Sequence, residues 1–368
     1  MSMQKRVIEL LALAEIHVNG PNPWDIKVHN DRFYARVLAG GSLALGESYM
    51  DGWWDCPALD QLFTRIFSSQ LDKKILTFAM AWAAIKARLL NLQRTSKAFE
   101  IGEAHYDIGN YLYKAMLDKR MTYTCGYWKN AKNLDVAQEA KLDLVCKKVG
   151  LKKGMRVLDI GCGWGSFAKF AAEKYNVSVV GITVSKEQVE LARERCKGLP
   201  VEIRLQDYRE VNEKFDRVVS LGMFEHVGYK NYRTYVQVAK HCLAPDGLFL
   251  LHTIGGNASV TTTDPWIGKY IFPNSMLPSI KQIAEACEGL FVIEDWHNFG
   301  ADYDKTLMAW HANFEKKWNK LSSQYNERFH RMWRYYLLAC AASFRSRKNQ
   351  LWQIVLSNGM KGGYRSSR

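Results

Sequence analysis

The stretch Val157-Leu158-Asp159-Ile160-Gly161-Cys162-Gly163-Trp164-Gly165 joins an apolar run to a glycine-rich turn that carries one acid. Glycine enters backbone regions closed to other residues and lets a main chain approach a ligand closely. Beyond the turn, Phe167, Phe170 and Ala171 recur at helical spacing, so the segment reads strand, tight loop, helix. That is the first unit of a doubly wound α/β sheet, whose ligands settle at the carboxyl ends of the strands. The glycines fall as Gly-x-Gly-x-Gly, without the third-glycine register of a dinucleotide fingerprint. Taken alone, the loop suits a nucleoside-type ligand, adenosylmethionine or another nucleotide, and such turns also occur where nothing binds.

The alternation continues downstream. Apolar Val177 to Ile182, Val201 to Leu205, Phe215 to Leu221 and Leu248 to Thr253 are separated by helical stretches. This predicts a mostly parallel sheet with helices on both faces. The turn residues Ala244-Pro245-Asp246-Gly247 place a strand start near Leu248. Ser185 stands where it would N-cap a helix running through Gln188 to Arg195. Residues 1–100 combine amphipathic helical patterns with the aromatic turn Tyr49-Met50-Asp51-Gly52-Trp53-Trp54, which predicts a smaller, mainly helical accessory domain for membrane docking or dimerisation. Residues 101–368 then form the domain that carries the chemistry.

At 368 residues and 48% hydrophobic content the chain can fill two cores, which excludes a disordered chain. The eight cysteines include no Cys-x-x-Cys pair, so neither a zinc nor an iron-sulfur site is indicated. No apolar run reaches bilayer length and Met1 to Arg6 lacks an export signal, so the expected location is the cytoplasm. The net charge of +14 is local: from His311 to Arg368, 12 Lys and Arg face 2 Glu, a surplus of +10. Such a region meets nucleic acid, or an anionic membrane at ~1 kcal/mol per basic residue, or is a solvated basic face. Between Lys73 and Lys97, the apolar run Ile75 to Ile85 is flanked by Lys73, Lys74, Lys86, Arg88, Arg94 and Lys97. That pattern reads either as a helix lying on lipid or as a core or dimer helix with solvated ends.

Two groups of residues are candidates for chemistry. On the ligand side, Asp159 ends the first strand, and the helix after the glycines presents free N–H groups. Adenine-nucleoside sites often hold the ribose with an acid at the end of the second strand. Here Gly181, Ile182 and Thr183 stand at that point, leaving Gln188 as the hydroxyl partner and Gln206 with Asp207 to bracket the adenine. On the reaction side, Gly222-Met223-Phe224-Glu225-His226-Val227-Gly228 follows the fourth strand and His252 ends the fifth. A carboxylate and an imidazole at neighbouring strand ends can hold a base or a small anion near a reacting carbon.

Tyr123-Thr124-Cys125-Gly126-Tyr127-Trp128, the Val157 to Gly165 loop, Thr183 to Gln188, Gly222 to Gly228, Leu251-His252-Thr253-Ile254-Gly255 and Gly300-Ala301-Asp302-Tyr303 occur together and in order. Together they resemble the cyclopropane-fatty-acyl-phospholipid synthases. Gly46 to Trp54 and Trp296-His297-Asn298-Phe299-Gly300 are similar to the bacterial two-domain members, so the resemblance covers nearly the whole chain. It implies a Rossmann-like S-adenosylmethionine-dependent methyltransferase domain with lipid-binding insertions, preceded by the helical domain. The implied reaction moves a methylene group from S-adenosylmethionine to the cis double bond of an acyl chain in a membrane phospholipid, through a carbocation deprotonated by bound bicarbonate.

An isolated alkene is a poor nucleophile, so such a site must desolvate it, align it and shield the cation from water. Aromatic faces suit that work, which makes Tyr270, Phe272, Trp266, Tyr127 and Phe224 candidate channel walls. The resemblance implies that bicarbonate is held by Glu225, His252, Tyr303 and the main chains of Cys125 and Ile254. It implies cofactor contacts from Tyr123, Thr124, Asp159, Ile160, Gly161, Cys162, Gly163, Trp164, Gly165, Thr183, Val184, Ser185, Lys186, Glu187, Gln188, Gln206 and Asp207. Cys340 matches a cysteine described as active in the family, yet its apolar helical surroundings equally suit a structural thiol. The implied partners are unsaturated phospholipid at the inner face of an anionic membrane and a second copy of the chain. Nucleic acid is not expected, since no Asn-Pro-Pro-Tyr-type motif or RNA-reading module occurs.

Overall fold

The computed structural model describes residues 2–74, 109–360 and 362–368. The apolar run flanked by Lys73 and Lys97 lies outside the described residues. The chain forms two compact units, one comprising Met1–Leu90, Thr261–Pro273 and Tyr303–Asn349, the other Asn91–Val260, Asn274–Asp302 and Gln350–Arg368.

The first unit is mainly helical, with a two-residue antiparallel ribbon of β1 (Lys27–Val28) and β2 (Trp54–Asp55). Packing adds two later segments to the N-terminal residues, where sequence suggested one continuous stretch. The helix Glu327–Arg345 is the reason, because it lies against the helices Arg32–Met50 and Leu59–Ser68. Tyr335 on that helix sits 5.7 Å from Tyr49, 4.9 Å from Phe63 and 4.4 Å from Trp266. Arg331 donates to the carbonyls of Tyr49 and Trp54 and, at 2.7 Å, to Asp55. Arg328 pairs with Asp51, Arg345 with Asp60 and Asp304, and Lys348 with Asp72. Much of the C-terminal positive charge is therefore framework, whereas Lys316, Lys317 and Lys320 on the helix Ala301–Leu321 stay exposed.

The second unit is built on seven strands: β3 (Arg156–Ile160), β4 (Ser178–Thr183), β5 (Val201–Leu205), β6 (Phe215–Leu221), β7 (Leu243–Gly256), β8 (Val292–Asn298) and β9 (Asn349–Ser357). They lie in the order β5-β4-β3-β6-β7-β9-β8. Pairings from β5 through β7 are parallel, and β8 pairs antiparallel with β9. β7 begins five residues before Leu248. Phe215 faces Leu243 and Arg217 faces Leu248, so Ala244 to Gly247 bulge out of a strand already begun.

Side chains alternate between two cores, as the pleat requires. Leu158, Val180, Val218 and Phe249 join the helices Tyr232–Cys242 and Ile280–Cys287. Val157, Val179, Val219 and Leu248 join the helices Leu134–Lys148 and Ser166–Tyr175. Both faces are covered, which explains the near-continuous apolar strands. The order reverses at β3, flanked by β4 on one side and β6 on the other, so a crevice opens at the carboxyl ends of β3 and β6.

Phe249 is fully buried, 6.1 Å from Phe291 and 6.5 Å from Tyr235. Phe249→Ala is expected to cost ~3–5 kcal/mol, read as a lower urea midpoint at unchanged slope.

Candidate active site

The glycine turn closes by hydrogen bonds from Gly161 and Cys162 N–H to the Ile182 carbonyl, at 2.9 and 3.0 Å. Gly161 has φ +83° and a Cβ there would lie 2.7 Å from Met223 Cβ; Gly163 has φ +55° and open space within 4 Å. The first glycine thus permits a tight approach of the β6 loop, and the second leaves main chain bare to a ligand. Trp164 donates to Asn110 Oδ1 at 2.7 Å, and its ring lies 4.7 Å from Tyr113 and 6.5 Å from Tyr123. The result is an aromatic wall beside the glycines.

Asp159 is buried and neither carboxylate oxygen has a hydrogen-bond partner among the described residues. Desolvation lifts its pKa to about 7, opposed by the charge of Lys141. Lys141 is itself fully buried and is pushed down to about 8 by burial, against the attraction of Asp118, Cys125 and Asp159. Its ammonium donates to Thr124 Oγ1 at 2.6 Å. Three residues earlier on the same helix face, Gln138 donates to the Thr124 carbonyl at 2.7 Å, so this face holds the Thr122 to Cys125 segment in place.

At the end of β4, Ser185 caps the helix Lys186–Arg195 by accepting from Gln188 N–H at 3.3 Å. Thr183 donates to Gln188 Oε1 at 2.8 Å, which leaves the Gln188 amide nitrogen as its donor for a ligand. Asp207 is committed elsewhere, accepting from the Arg209 main chain and guanidinium at 2.9 Å each. Tyr123, Thr124, Asp159 to Trp164, Thr183, Val184, Gln188, Gln206 and Asp207 line one cleft. Gly165, Ser185, Lys186 and Glu187 do not line it; they start or cap the two helices. Met223, from the reaction-side run Gly222 to Gly228, lines it too, and so do Lys141, Tyr208 and Arg209, which the sequence does not single out. Lys141 leaves one trace in the sequence, a cation beside Ala137, Leu142 and Val145 on the buried side of its helix.

On the reaction side, Glu225 Oε1 accepts from Ile254 N–H at 2.7 Å, while Oε2 is buried with no partner among the described residues. Desolvation raises this carboxyl to about 7. His252 is buried and held well below its ordinary value by desolvation and by the charges of Lys141 and Lys148. Gln353 Nε2 lies 3.3 Å from His252 Nδ1, and Nε2 of the imidazole has no partner among the described residues. Cys125 is buried with its thiol on the Gly126 carbonyl at 3.1 Å. The Ile254 amide is occupied by Glu225, so it orients the carboxylate.

Tyr303 and Cys340 belong to the other unit. Tyr303 packs 4.6 Å from Phe344. The Cys340 thiol is driven up to about 12, by desolvation first and Asp264 second, and so stays protonated at neutral pH. Two of the aromatic candidates are packing residues. Phe224 is fully buried, stacked 4.2 Å from Tyr232, and Trp266 lies so close over Gly46 that a Cβ there would meet its ring at 2.3 Å.

A model of the family described as mycolic acid cyclopropane synthetase matches residues 93–354. The chain belongs to this family. It is 55% identical over 361 residues to the cyclopropane-fatty-acyl-phospholipid synthase of Escherichia coli K12, covering 98% of this chain and 94% of that one. The cyclopropane synthase MmaA2 from Mycobacterium tuberculosis superposes with a TM-score of 0.67 at 31% identity, over 71% of this chain and 98% of that one. Mycolic acid cyclopropane synthase CmaA1, complexed with SAH and CTAB, superposes with a TM-score of 0.65 at 32% identity, over 70% of this chain and 97% of that one.

The chain is thus an S-adenosylmethionine-dependent methyltransferase of the cyclopropane-forming kind. Its cleft fits that cofactor: bare main chain at Gly163, an aromatic wall, and an unpartnered buried carboxylate at Asp159. Among the described residues, no cluster of His, Cys, Asp and Glu could hold a metal ion.

Gly163→Val would fill ligand space without meeting protein atoms. We expect a folding loss of ~1–2 kcal/mol from backbone strain, with S-adenosylhomocysteine affinity, measured by calorimetry, falling by roughly tenfold or more.

Proposed function

We propose that the chain converts the cis double bond of an unsaturated acyl chain in a membrane phospholipid into a cyclopropane, with bicarbonate as the base, at the surface of an anionic membrane. The observation that carries the substrate class is the reach of the similarity. The Escherichia coli synthase, named for fatty acyl phospholipid, aligns with 98% of the chain, first unit included, whereas the two mycobacterial-type structures cover only 70% and 71%.

Bound S-adenosylmethionine would supply an electrophilic methyl group, held by the glycine turn, Asp159, Thr124 and Gln188. Bicarbonate would supply the proton acceptor. The residues present suit a small anion, because a buried negative charge is tolerated only where donors meet it. Gln353 Nε2 donates to His252 Nδ1, which assigns the neutral imidazole an N–H at the unpartnered Nε2. Glu225, near 7, can present a carboxyl O–H at Oε2 without adding charge. Both groups are dry, which suits a carbocation that water would capture.

Among the described residues no helix is long and apolar enough to cross a membrane. Attachment from outside the bilayer is supported by the exposed group Lys316, Lys317 and Lys320, each worth ~1 kcal/mol near anionic lipid.

Incubation with S-adenosylmethionine and unsaturated phospholipid vesicles, followed by fatty-acid mass analysis, tests the reading. The expected product gains one CH2 and loses alkene reactivity; a methylated product that keeps its alkene, or a hydroxylated one, would sink it. Glu225→Gln is expected to lower kcat ~10²–10⁴-fold while S-adenosylhomocysteine affinity holds. Cys340→Ser should keep near-full turnover, since a thiol that is protonated at neutral pH is no base. Raising salt should weaken vesicle flotation, and more weakly still after Lys316, Lys317 and Lys320 are changed to Gln.

A further inference from the structure

We infer that Lys141, buried beneath the cofactor cleft, is a positioning residue that sets Thr124 and Asp159 to grip the zwitterionic amino-acid end of S-adenosylmethionine. The inference rests on the cofactor reading above. Lys141 is fully buried, so its ammonium cannot reach bulk water along its stem. Its one hydrogen-bond partner among the described residues is Thr124 Oγ1, at 2.6 Å. An ammonium carries three donors and no acceptor. The Thr124 hydroxyl therefore accepts, and its own proton is directed elsewhere. Thr124 lines the cleft, so that proton is available to an acceptor on the ligand.

Asp159 lines the same cleft and offers two bare carboxylate oxygens. The charge of Lys141 favours its ionised form against desolvation. The cleft thus presents a hydroxyl donor backed by a cation and a bare carboxylate, the complement of a group that bears both a carboxylate and an ammonium.

The other charged or titratable neighbours are spent or neutral. Asp118 accepts from the main chains of Thr122 and Arg120, at 2.7 and 2.9 Å. The Cys125 thiol donates to Gly126. Cys162, Cys196 and Tyr235, which feel Asp159, are all held above their ordinary values by burial and stay uncharged. Arg209, also in the cleft, is paired with Asp207 at 2.9 Å, and His226 and His252 are held neutral by burial, which leaves Lys141 and Asp159 to meet the ligand.

The test titrates the full chain, by calorimetry, with S-adenosylhomocysteine and with its decarboxylated analogue. The wild type is expected to favour the carboxylated ligand by roughly 10- to 100-fold, the size of one hydrogen bond to a charged group. Lys141→Met should lose most of that preference. The pH profile supplies a second readout. The ligand ammonium prefers ionised Asp159, so wild-type affinity falls as pH drops through about 7; without the Lys141 charge, the fall should begin at higher pH. Wild-type discrimination in a folded Lys141→Met variant would overturn the inference. Thr124→Val covers the case in which Lys141→Met does not fold: it should lose the same preference, and retention would overturn the inference equally. A wild type that binds neither ligand would instead remove the cofactor reading itself.

Discussion

Moving a carboxylate or an ammonium from water into a protein interior costs several kcal/mol even after relaxation, and proteins commonly answer by shifting protonation. Asp159, Glu225, Lys141 and Lys148 are all at most 6% exposed, and all four are shifted in the direction that sheds charge. This local desolvation governs the site. It leaves carboxyls near 7 and amines near 8, a range in which modest changes in nearby charge alter which groups are ionised. The sheet creates the conditions: both of its faces are covered by helices, and its order reverses at β3, so the strand ends converge on a crevice lined by buried groups.

Dryness that is costly for stability is useful for chemistry. A neutral imidazole and a half-protonated carboxyl can donate hydrogen bonds without loading the crevice with charge. The neighbouring cluster follows the same logic, with Lys148 3.1 Å from His297 Nδ1 and 3.3 Å from Asp295, which Arg368 pairs in turn. Lys148 and Asp295, both buried, are thus matched within the protein.

Local pattern made much of this visible. The strands over 201–205 and 215–221 fall where apolar runs end in turn residues, and Ser185 caps its helix because a short hydroxyl reaches the N–H three residues on. Glu225 and His252 could be placed because strand ends in such sheets converge. Lys141 and Gln138 are not legible in this way, since on a helix face defined by apolar spacing polar residues look like interruptions. Phe224 and Trp266, candidate walls in the sequence, are packing residues in the fold, because an aromatic residue near a site has no sequence mark distinguishing packing from lining. The basic region reads as a surface for the same reason: Asp51, Asp55, Asp60 and Asp72, which pair with Arg328, Arg331, Arg345 and Lys348, lie 276 to 285 residues earlier.

That separation bears on how the protein is made. Tyr49, Trp54 and Asp55 leave the ribosome long before Arg331, which lies 276 residues after Asp55. At ~5–20 residues per second, the early helices wait roughly 15–55 s for the helix that caps their carbonyls and covers their aromatic face. In that interval Tyr49, Trp54 and Phe63 lack their eventual cover, so the nascent chain exposes an apolar surface that the finished protein hides. The order of synthesis, and not only the final packing, thus bears on how this chain reaches its fold.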